Sequence, residues 1–416
     1  MTSLPSIDPR LRRWQWRIFG IAWLSYASFY LCRVNIAVAL PLIQVDLGWD
    51  RSAVGAIGSV FLWVYAIGQL VNGTLGQKAN ARWFVGAGML LSAACSAAFG
   101  ASSALWVMIA LWGLNGWAQS MGWAAIMKTI AAWFDPRRRG RITAFFSPCF
   151  VLGHLVAWAV GGWLVSRWGW RYAFWLPALF FAGVGGLWLV GVRSTPQAVG
   201  FSVPRSAARS HVGMGEILRS LLAHPRLRWA AVTCVFASMI KDGLNLWAPT
   251  FLVDALDMPV SSAALAASVL PLFGLAGSLL AGWLSDRLFR SHEAPGIIGL
   301  SLVVGLAMIG FMLSSGTGSW WIAVVLLGVC GMAVYGINAL LLTSIPLSFS
   351  EEGSVAAVAG FLDFASYIGG GISALAAGRL LDGVGWNAVF GYWLAATLVA
   401  AASATVLFRR TQPRNH

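Results

Sequence analysis

Arg33 stands in the stretch SYASFYLCRVNIAVALP, residues 25–41, where nearly every other side chain is apolar, small or aromatic. A guanidinium presents five donors in a planar fork and does not deprotonate, which suits it to phosphate or carboxylate oxygens. Placing it at the centre of a helix in lipid costs about 2.5–3.5 kcal/mol. It follows Arg17 by 16 residues, roughly 24 Å of helix at 1.5 Å per residue. Snorkelling back to the basic N-terminus is therefore impossible. Tyr26, Tyr30 and Arg33 stand at i, i+4 and i+7, so a continuous helix shows two hydroxyls and one cation on a single face. That face is expected to line a polar cavity and bind substrate. The structural alternative is an ion pair with Asp363 or Asp242.

A second cation, Lys241, lies about halfway along another apolar run, with Asn245 one turn on and on the same face. Lysine binds phosphate as a compact point charge. Adjacent Asp242 offers a local ion pair, which is the competing structural role. Two cations in separate runs make a split site for a dianion, which would relieve their mutual repulsion. Asn115 and Gln119, one turn apart, suit a substrate path and a bond to a neighbouring helix equally well. His154 is a phosphate-contacting or proton-linked candidate, although a lone histidine more often bonds a neighbouring helix. Asp363 shares a face with Tyr367, and an intramembrane carboxylate marks a functional site by default. Tyr335 and Asn338 share a further face and add hydrogen bonds. Lys128 lies close to the end of its run, on the side opposite Gln119, and reads as snorkelling or structural.

Holding these groups in place takes a frame with an apolar exterior. Of the 416 residues, 59% are hydrophobic and 10% charged, with mean hydropathy +0.75; a soluble chain carries about a quarter charged residues. Apolar runs of bilayer-spanning length, about 20 residues, recur throughout. The pattern predicts an all-α membrane protein with spans near 18–40, 53–75, 83–102, 105–133, 142–165, 172–192, 229–252, 263–288, 295–314, 319–345, 354–378 and 386–408. Residues 193–228, with Pro196, Pro204, several serines and six arginines, read as a cytoplasmic linker. It separates an N-terminal six-helix half, 1–192, from a C-terminal half, 229–416.

The halves resemble each other. Arg33 precedes Pro41 by eight residues, and Lys241 precedes Pro249 by eight. Gly73-Thr-Leu-Gly-Gln77-Lys78 lines up with Gly282-Trp-Leu-Ser-Asp286-Arg287. Gly169-Trp170-Arg171 with Phe174 lines up with Gly385-Trp386-Asn387 with Phe390. Tandem repeats of this kind place a substrate path between the halves, near the midplane.

The net charge of +14 follows topology rather than nucleic acid. Of 28 Lys and Arg, 21 fall in the N-terminus, the even-numbered turns and the tail, whereas Arg51, Arg167, Arg171 and Arg379 fall in turns on the other side. That bias predicts cytoplasmic termini. The lipid bilayer and a small anion are the expected partners, with no nucleic acid. The five cysteines all fall within spans, without paired spacing, so no disulfide or metal site is expected. No cofactor is expected either. A phosphate-cradling loop and a nucleophile–base constellation are both missing from the sequence, which argues against an enzyme.

Local strings narrow the class. Tyr26…Tyr30…Arg33-Val-Asn35…Pro41, the block Asn115-Gly116…Gln119…Gly122-Trp123…Lys128…Trp133-Phe134…Arg139-Gly140, Arg193-Ser-Thr-Pro196-Gln197-Ala-Val-Gly200, Lys241-Asp-Gly243…Trp247-Ala-Pro249 and Gly360…Tyr367-Ile-Gly369…Asp382…Gly385-Trp386 resemble the organophosphate:phosphate antiporter family of the major facilitator superfamily. The resemblance covers essentially the whole chain. It implies the major facilitator fold, with twelve helices as two six-helix halves around a central cavity. It further implies a monomer in a bacterial inner membrane that exchanges a small organophosphate for inorganic phosphate. Lys78, Asp286 and Arg287 correspond to the superfamily's gating turns. Four positions depart from the family. Lys241 stands where a second arginine is usual, and Phe150 where some members carry a substrate-serving histidine, with His154 one turn later. Gln77 replaces the usual Asp of the first gating turn, and Asp363 occupies an often neutral position. Proton-coupled symport of an organic anion and a transporter-like sugar-phosphate sensor are the alternatives.

Overall fold

The computed structural model describes residues 8–135, 142, 145–146, 148–201, 223–287, 293–314, 318–349 and 355–411, apart from the side chains of residues 285, 286, 356, 410 and 411. The described residues form helices and short connections, with no strand among them. Lipid offers no hydrogen bonds, so each spanning segment must satisfy its own backbone, and a helix does so. Among the described residues, ten helices are long and apolar enough to cross a bilayer. The fourth and seventh expected spans are not among the ten, and both carry residues singled out above.

The first expected span is not one continuous helix. α1 (Pro9–Phe29) ends in a 3-10 turn, Tyr30–Cys32, and α2 (Asn35–Leu47) resumes beyond Arg33 and Val34. α3 (Arg51–Lys78) and α4 (Ala81–Ala101) follow. The fourth span divides at Met121–Gly122 into α5 (Leu105–Ser120) and α6 (Trp123–Trp133). After α7 (Pro148–Trp168) and α8 (Tyr172–Gly191), the expected linker holds a short 3-10 turn, Pro196–Val199; its residues 202–222 lie outside the described set. The seventh span, α9 (Pro225–Leu256), begins inside that expected linker, with Pro225 in its first turn, a position where the missing N–H costs nothing. The eighth divides at Ser268 into α10 (Val260–Ala267) and α11 (Val269–Arg287). α12 (Glu293–Ser314) is regular, while α13 (Trp320–Ala339) runs through a π turn, Leu340–Ser344, into the single turn α14 (Ile345–Leu347). α15 (Val355–Gly383) and α16 (Trp386–Thr411) complete the bundle.

Small residues let the helices approach closely, as expected where packing rather than hydrophobicity holds membrane helices together. α3 and α15 run side by side. Ser59 Oγ donates to Gly371 O at 2.7 Å and Trp63 Nε1 to Ile368 O at 3.3 Å. A Cβ on Gly55 would stand 2.6 Å from Ala374 O, so any larger residue there would part the two helices.

The start of α3 is fastened by three carboxylates. Asp50 accepts the Ala53 N–H at 2.7 Å, and Asp382 of α15 accepts those of Arg51 and Ser52 at 2.8 Å each. Arg51 Nη2 meets Asp254 Oδ2 of α9 at 2.7 Å. The other end of α3 turns to different neighbours. Lys128 Nζ of α6 donates to the Gly76, Gln77 and Ala79 carbonyls at 3.1, 2.6 and 3.0 Å. One ammonium thus serves three acceptors at the end of a helix, where the macrodipole also favours a cation.

Candidate functional site

The break in the first span creates the site. In a regular helix the Arg33 N–H would bond Phe29 O; here it bonds Tyr30 O at 3.1 Å. The Phe29 and Cys32 carbonyls lose their regular partners inside the protein. Amides of α5 take them up. Asn115 Nδ2 donates to Cys32 O at 2.8 Å, and Gln119 Nε2 to Phe29 O at 3.2 Å. Ser92 of α4 secures both amides, donating to Asn115 Oδ1 at 2.6 Å and accepting from Gln119 Nε2 at 3.0 Å. Gly122, where the fourth span is itself interrupted, faces the Phe29 ring; a Cβ there would lie 2.7 Å from it.

Gln119 also fixes the cation. Its Oε1 accepts from Arg33 Nε at 3.1 Å, while Arg33 Nη2 reaches the Tyr65 hydroxyl at 3.4 Å. The guanidinium lies over the Tyr65 ring at 4.8 Å and the Tyr30 ring at 5.2 Å. Among the described residues no carboxylate comes within ion-pair distance of Arg33. The structural pairing with Asp242 or Asp363 is therefore not made.

Tyr65 and Tyr367 carry the arrangement across to the second cation. Their rings meet edge to face with centroids 4.7 Å apart, and Lys241 Nζ stands 5.8 Å from the Tyr367 ring. Lys241 does have a carboxylate beside it, Asp242 Oδ1 at 3.4 Å, and it also reaches Asn338 Oδ1 at 3.4 Å. The Tyr335 hydroxyl donates to Asn245 Oδ1 at 3.1 Å. Asp363 makes no ion pair among the described residues, yet it lies within electrostatic reach of Lys241, Asp242 and Arg33. Two cations, three tyrosines and three amides thus form a contiguous polar cluster in which Arg33 has no carboxylate partner among the described residues.

A family model described as Major Facilitator Superfamily matches residues 22–374. The chain belongs to the major facilitator superfamily. Among solved structures, a bacterial homolog of the human lysosomal transporter Spinster, in an inward-facing and occupied conformation, superposes on this major facilitator chain with a TM-score of 0.82. The two share 15% identity, over 97% of this chain and 98% of that one, a likeness of fold. The resemblance to the organophosphate:phosphate antiporter family is borne out by curated relatives. "Probable hexose phosphate transport protein" of Chlamydia pneumoniae is 27% identical over 97% of this chain and 92% of its own length. "Glycerol-3-phosphate transporter" of Bacillus subtilis (strain 168) is 25% identical over 95% and 92%. "Membrane sensor protein UhpC" of Escherichia coli (strain K12) is 26% identical over 98% and 94%.

Within this major facilitator frame several expected residues take other places. Asn115 is buried and spent on Ser92 and the Cys32 carbonyl, so it holds the break rather than lining a path. Tyr26 does touch Tyr30, with ring centroids 6.2 Å apart, but its main company is aromatic: Trp123 at 4.9 Å and Phe150 at 5.2 Å. The 3-10 turn between them means that the three residues do not form the continuous helical face expected from their spacing. His154 is buried with its ring against Trp158 at 4.6 Å and Tyr30 at 5.6 Å, and its Nε2 has no partner. It packs rather than bonding a neighbouring helix through that atom. Of the expected gating charges, the Asp286 side chain lies outside the described residues, and Arg287 rests over the Trp283 ring at 5.8 Å. Lys78 lines a cavity with α4 and α6 residues. The charged fastening instead sits at the opposite end of α3, on Arg51, Asp254 and Asp382.

Tyr65 escaped notice in the sequence, where a lone tyrosine in an apolar run is ordinary packing. Gln69, one turn on, was the available signal: its Nε2 donates to the Tyr65 hydroxyl at 3.0 Å.

Proposed function

We propose that this protein is a secondary transporter that exchanges a small organophosphate for inorganic phosphate by alternating access. The bracketing of Tyr65 and Tyr367 by Arg33 and Lys241, with Arg33 lacking a carboxylate, supports this most directly. A phosphate dianion entering between the cations is attracted to both and supplies the missing countercharge. The hexose phosphate and glycerol-3-phosphate relatives point to the same chemical class. An empty site leaves like charges facing each other, so closure without substrate is penalised. That penalty favours exchange over one-way transport, since a substrate binds the closed state better than nothing does.

The bias of basic residues towards one set of turns supports a bacterial inner-membrane protein with both termini and the Lys78 end of α3 on the cytoplasmic side. The fastened Arg51 end is then the outer side, and the two six-helix halves part towards the cytoplasm. The protein works as a monomer. Uptake of labelled glycerol 3-phosphate and hexose phosphates into proteoliposomes tests this reading. Uptake should require phosphate inside. Uptake driven by a pH gradient in liposomes free of phosphate would instead establish proton symport.

A second reading has its own support, because a membrane sensor is as similar to this chain as the transporters are. On that reading the same cations bind a sugar phosphate to report it. Saturable binding of a hexose phosphate with no flux in either direction would select the sensor.

A further inference from the structure

At the end of the bundle where α3 gives way to α4, a cavity of about 510 Å³ opens beside the first turn of α4. Four cations line it: Lys78, Arg82, Lys128 and Arg193. No carboxylate lines it, and none pairs with any of the four within ion-pair distance among the described residues. Lys128 is committed to the three carbonyls at the end of α3. Arg193 Nη1 donates to Val190 O and Val192 O at 3.0 Å each, while its Nη2 and Nε make no bond among the described residues. Arg82 Nε donates to Leu189 O, and its terminal nitrogens make no bond among the described residues. The Lys78 ammonium makes no hydrogen bond among the described residues. The first turn of α4 borders the cavity and is already capped: the Arg82 N–H donates to Asn80 Oδ1 at 3.0 Å and to Ser194 Oγ at 3.1 Å, and the Ser194 hydroxyl donates to Asn80 Oδ1 at 2.7 Å. The charged side chains, not the backbone, are therefore what the cavity offers an anion.

We propose that this cavity binds a phosphate-bearing anion at a site separate from the pair Arg33 and Lys241. Lys78 lies 13 residues past Tyr65, about 20 Å of helix, so one anion cannot serve both. Planar guanidinium forks are suited to phosphate oxygens. The volume lies within the range of small-ligand sites, about 300–1,000 Å³. Trp83 lines the cavity, is 59% exposed and carries Arg82 over its ring at 4.9 Å. An indole at this level belongs to the lipid–water boundary. The phosphate can therefore come from a phospholipid headgroup or from the water, and both sources present the same oxygens.

The full-length protein in detergent separates the two sources. Native mass spectrometry and thermal unfolding are read with added phosphatidylglycerol, phosphatidylcholine or inorganic phosphate, in an Arg33→Ala background that silences the central site. The lipid source gives retention and stabilisation by phosphatidylglycerol above phosphatidylcholine. The soluble source gives stabilisation by inorganic phosphate. In either case Lys78→Gln with Arg193→Gln should weaken binding about 25-fold, from about 1 kcal/mol for each basic residue near an anionic headgroup. Thr195→Glu leaves every arginine in place and adds a carboxylate to the wall; Thr195 makes no capping bond that would be lost. It should weaken binding in the same direction. Binding that is unchanged in the double variant and in Thr195→Glu overturns the site, as does failure of both phosphatidylglycerol and inorganic phosphate to bind the Arg33→Ala protein.

Discussion

Tyr65 and Tyr367 meet edge to face, centroids 4.7 Å apart, and each offers a ring face to a different cation, Arg33 at 4.8 Å and Lys241 at 5.8 Å. Tyr65 belongs to α3 and Tyr367 to α15, the two helices that are zipped together from Asp382 through Gly371. The tyrosine contact therefore lies between the fastened end of that pair and the region where α3 turns towards α6. Opening one end and closing the other must slide or part these two rings, and the cations over their faces move with them.

Arg33 has two polar contacts, and lysine can reproduce its charge but not its fork. A hydrogen bond to a charged group is worth about 1.5–3 kcal/mol. Arg33→Lys is accordingly expected to lower uptake efficiency about 10- to 100-fold, and Arg33→Ala to abolish uptake at unchanged membrane abundance. Transport by Arg33→Ala at the normal rate would remove the central cation from the proposed function.

The Tyr65 hydroxyl accepts from both Arg33 and Gln69. Tyr65→Phe keeps the ring and removes the acceptor. At about 0.5–1.5 kcal/mol for one net hydrogen bond, it should raise the KM for the organophosphate about three- to tenfold. Tyr26→Phe serves as the comparison, since Tyr26 sits among aromatics and makes no hydrogen bond to Arg33. Equal effects of the two substitutions would contradict the assignment.

Asp382 caps a helix that is not its own. Losing a cap costs about 1 kcal/mol, so Asp382→Ala should shift the population away from the state fastened at Arg51 about fivefold. Alkylation of a single cysteine at position 59, in a protein with its five native cysteines replaced, reads the opening. Ser59 is buried against Gly371 in the fastened state. Labelling from the side of the Arg51 end should rise in Asp382→Ala and in Arg51→Ala. No change in either variant would mean that the carboxylate does not hold this end shut.

Asn115→Leu removes the 2.8 Å partner of the Cys32 carbonyl, leaving it the 3.5 Å bond from Gln119 Nε2, and strips the buried Ser92 hydroxyl of its acceptor. Leaving buried polar groups poorly satisfied costs about 1–3 kcal/mol. The midpoint of thermal unfolding in detergent should fall, and Ser92→Ala should lower it in the same direction. An unaltered midpoint in both would show that the break is held by other contacts.

The all-helical membrane class was legible from hydropathy and the family from local strings. The division of the first span was not. Helix breaks usually announce themselves by proline or glycine at the break, whereas here the segment reads Tyr-Leu-Cys-Arg-Val. Its cause is 83 residues away along the chain, in the amide of Asn115. The fastening at the Arg51 end of α3 was hidden for a related reason. The gating motif drew attention to one end of α3, while Asp382 had only its place in a turn string, with nothing local to reveal that it reaches the first turn of a helix 330 residues earlier. Pairings between distant helices leave little trace in a single sequence, because each partner looks locally like an ordinary polar residue.

The amides beneath the break make Arg33 a borrowed residue. Its position belongs to α5 and α4 as much as to the helix that carries it, since Gln119 holds the side chain while Asn115, Gln119 and Ser92 hold the turn. Anyone grafting this cation cradle into another bundle would have to move four residues from three helices, not one. A lineage that lost Asn115 or Gln119 would be expected to straighten its first helix and swing the arginine off the tyrosine pair, with Arg33 and Tyr65 themselves unchanged.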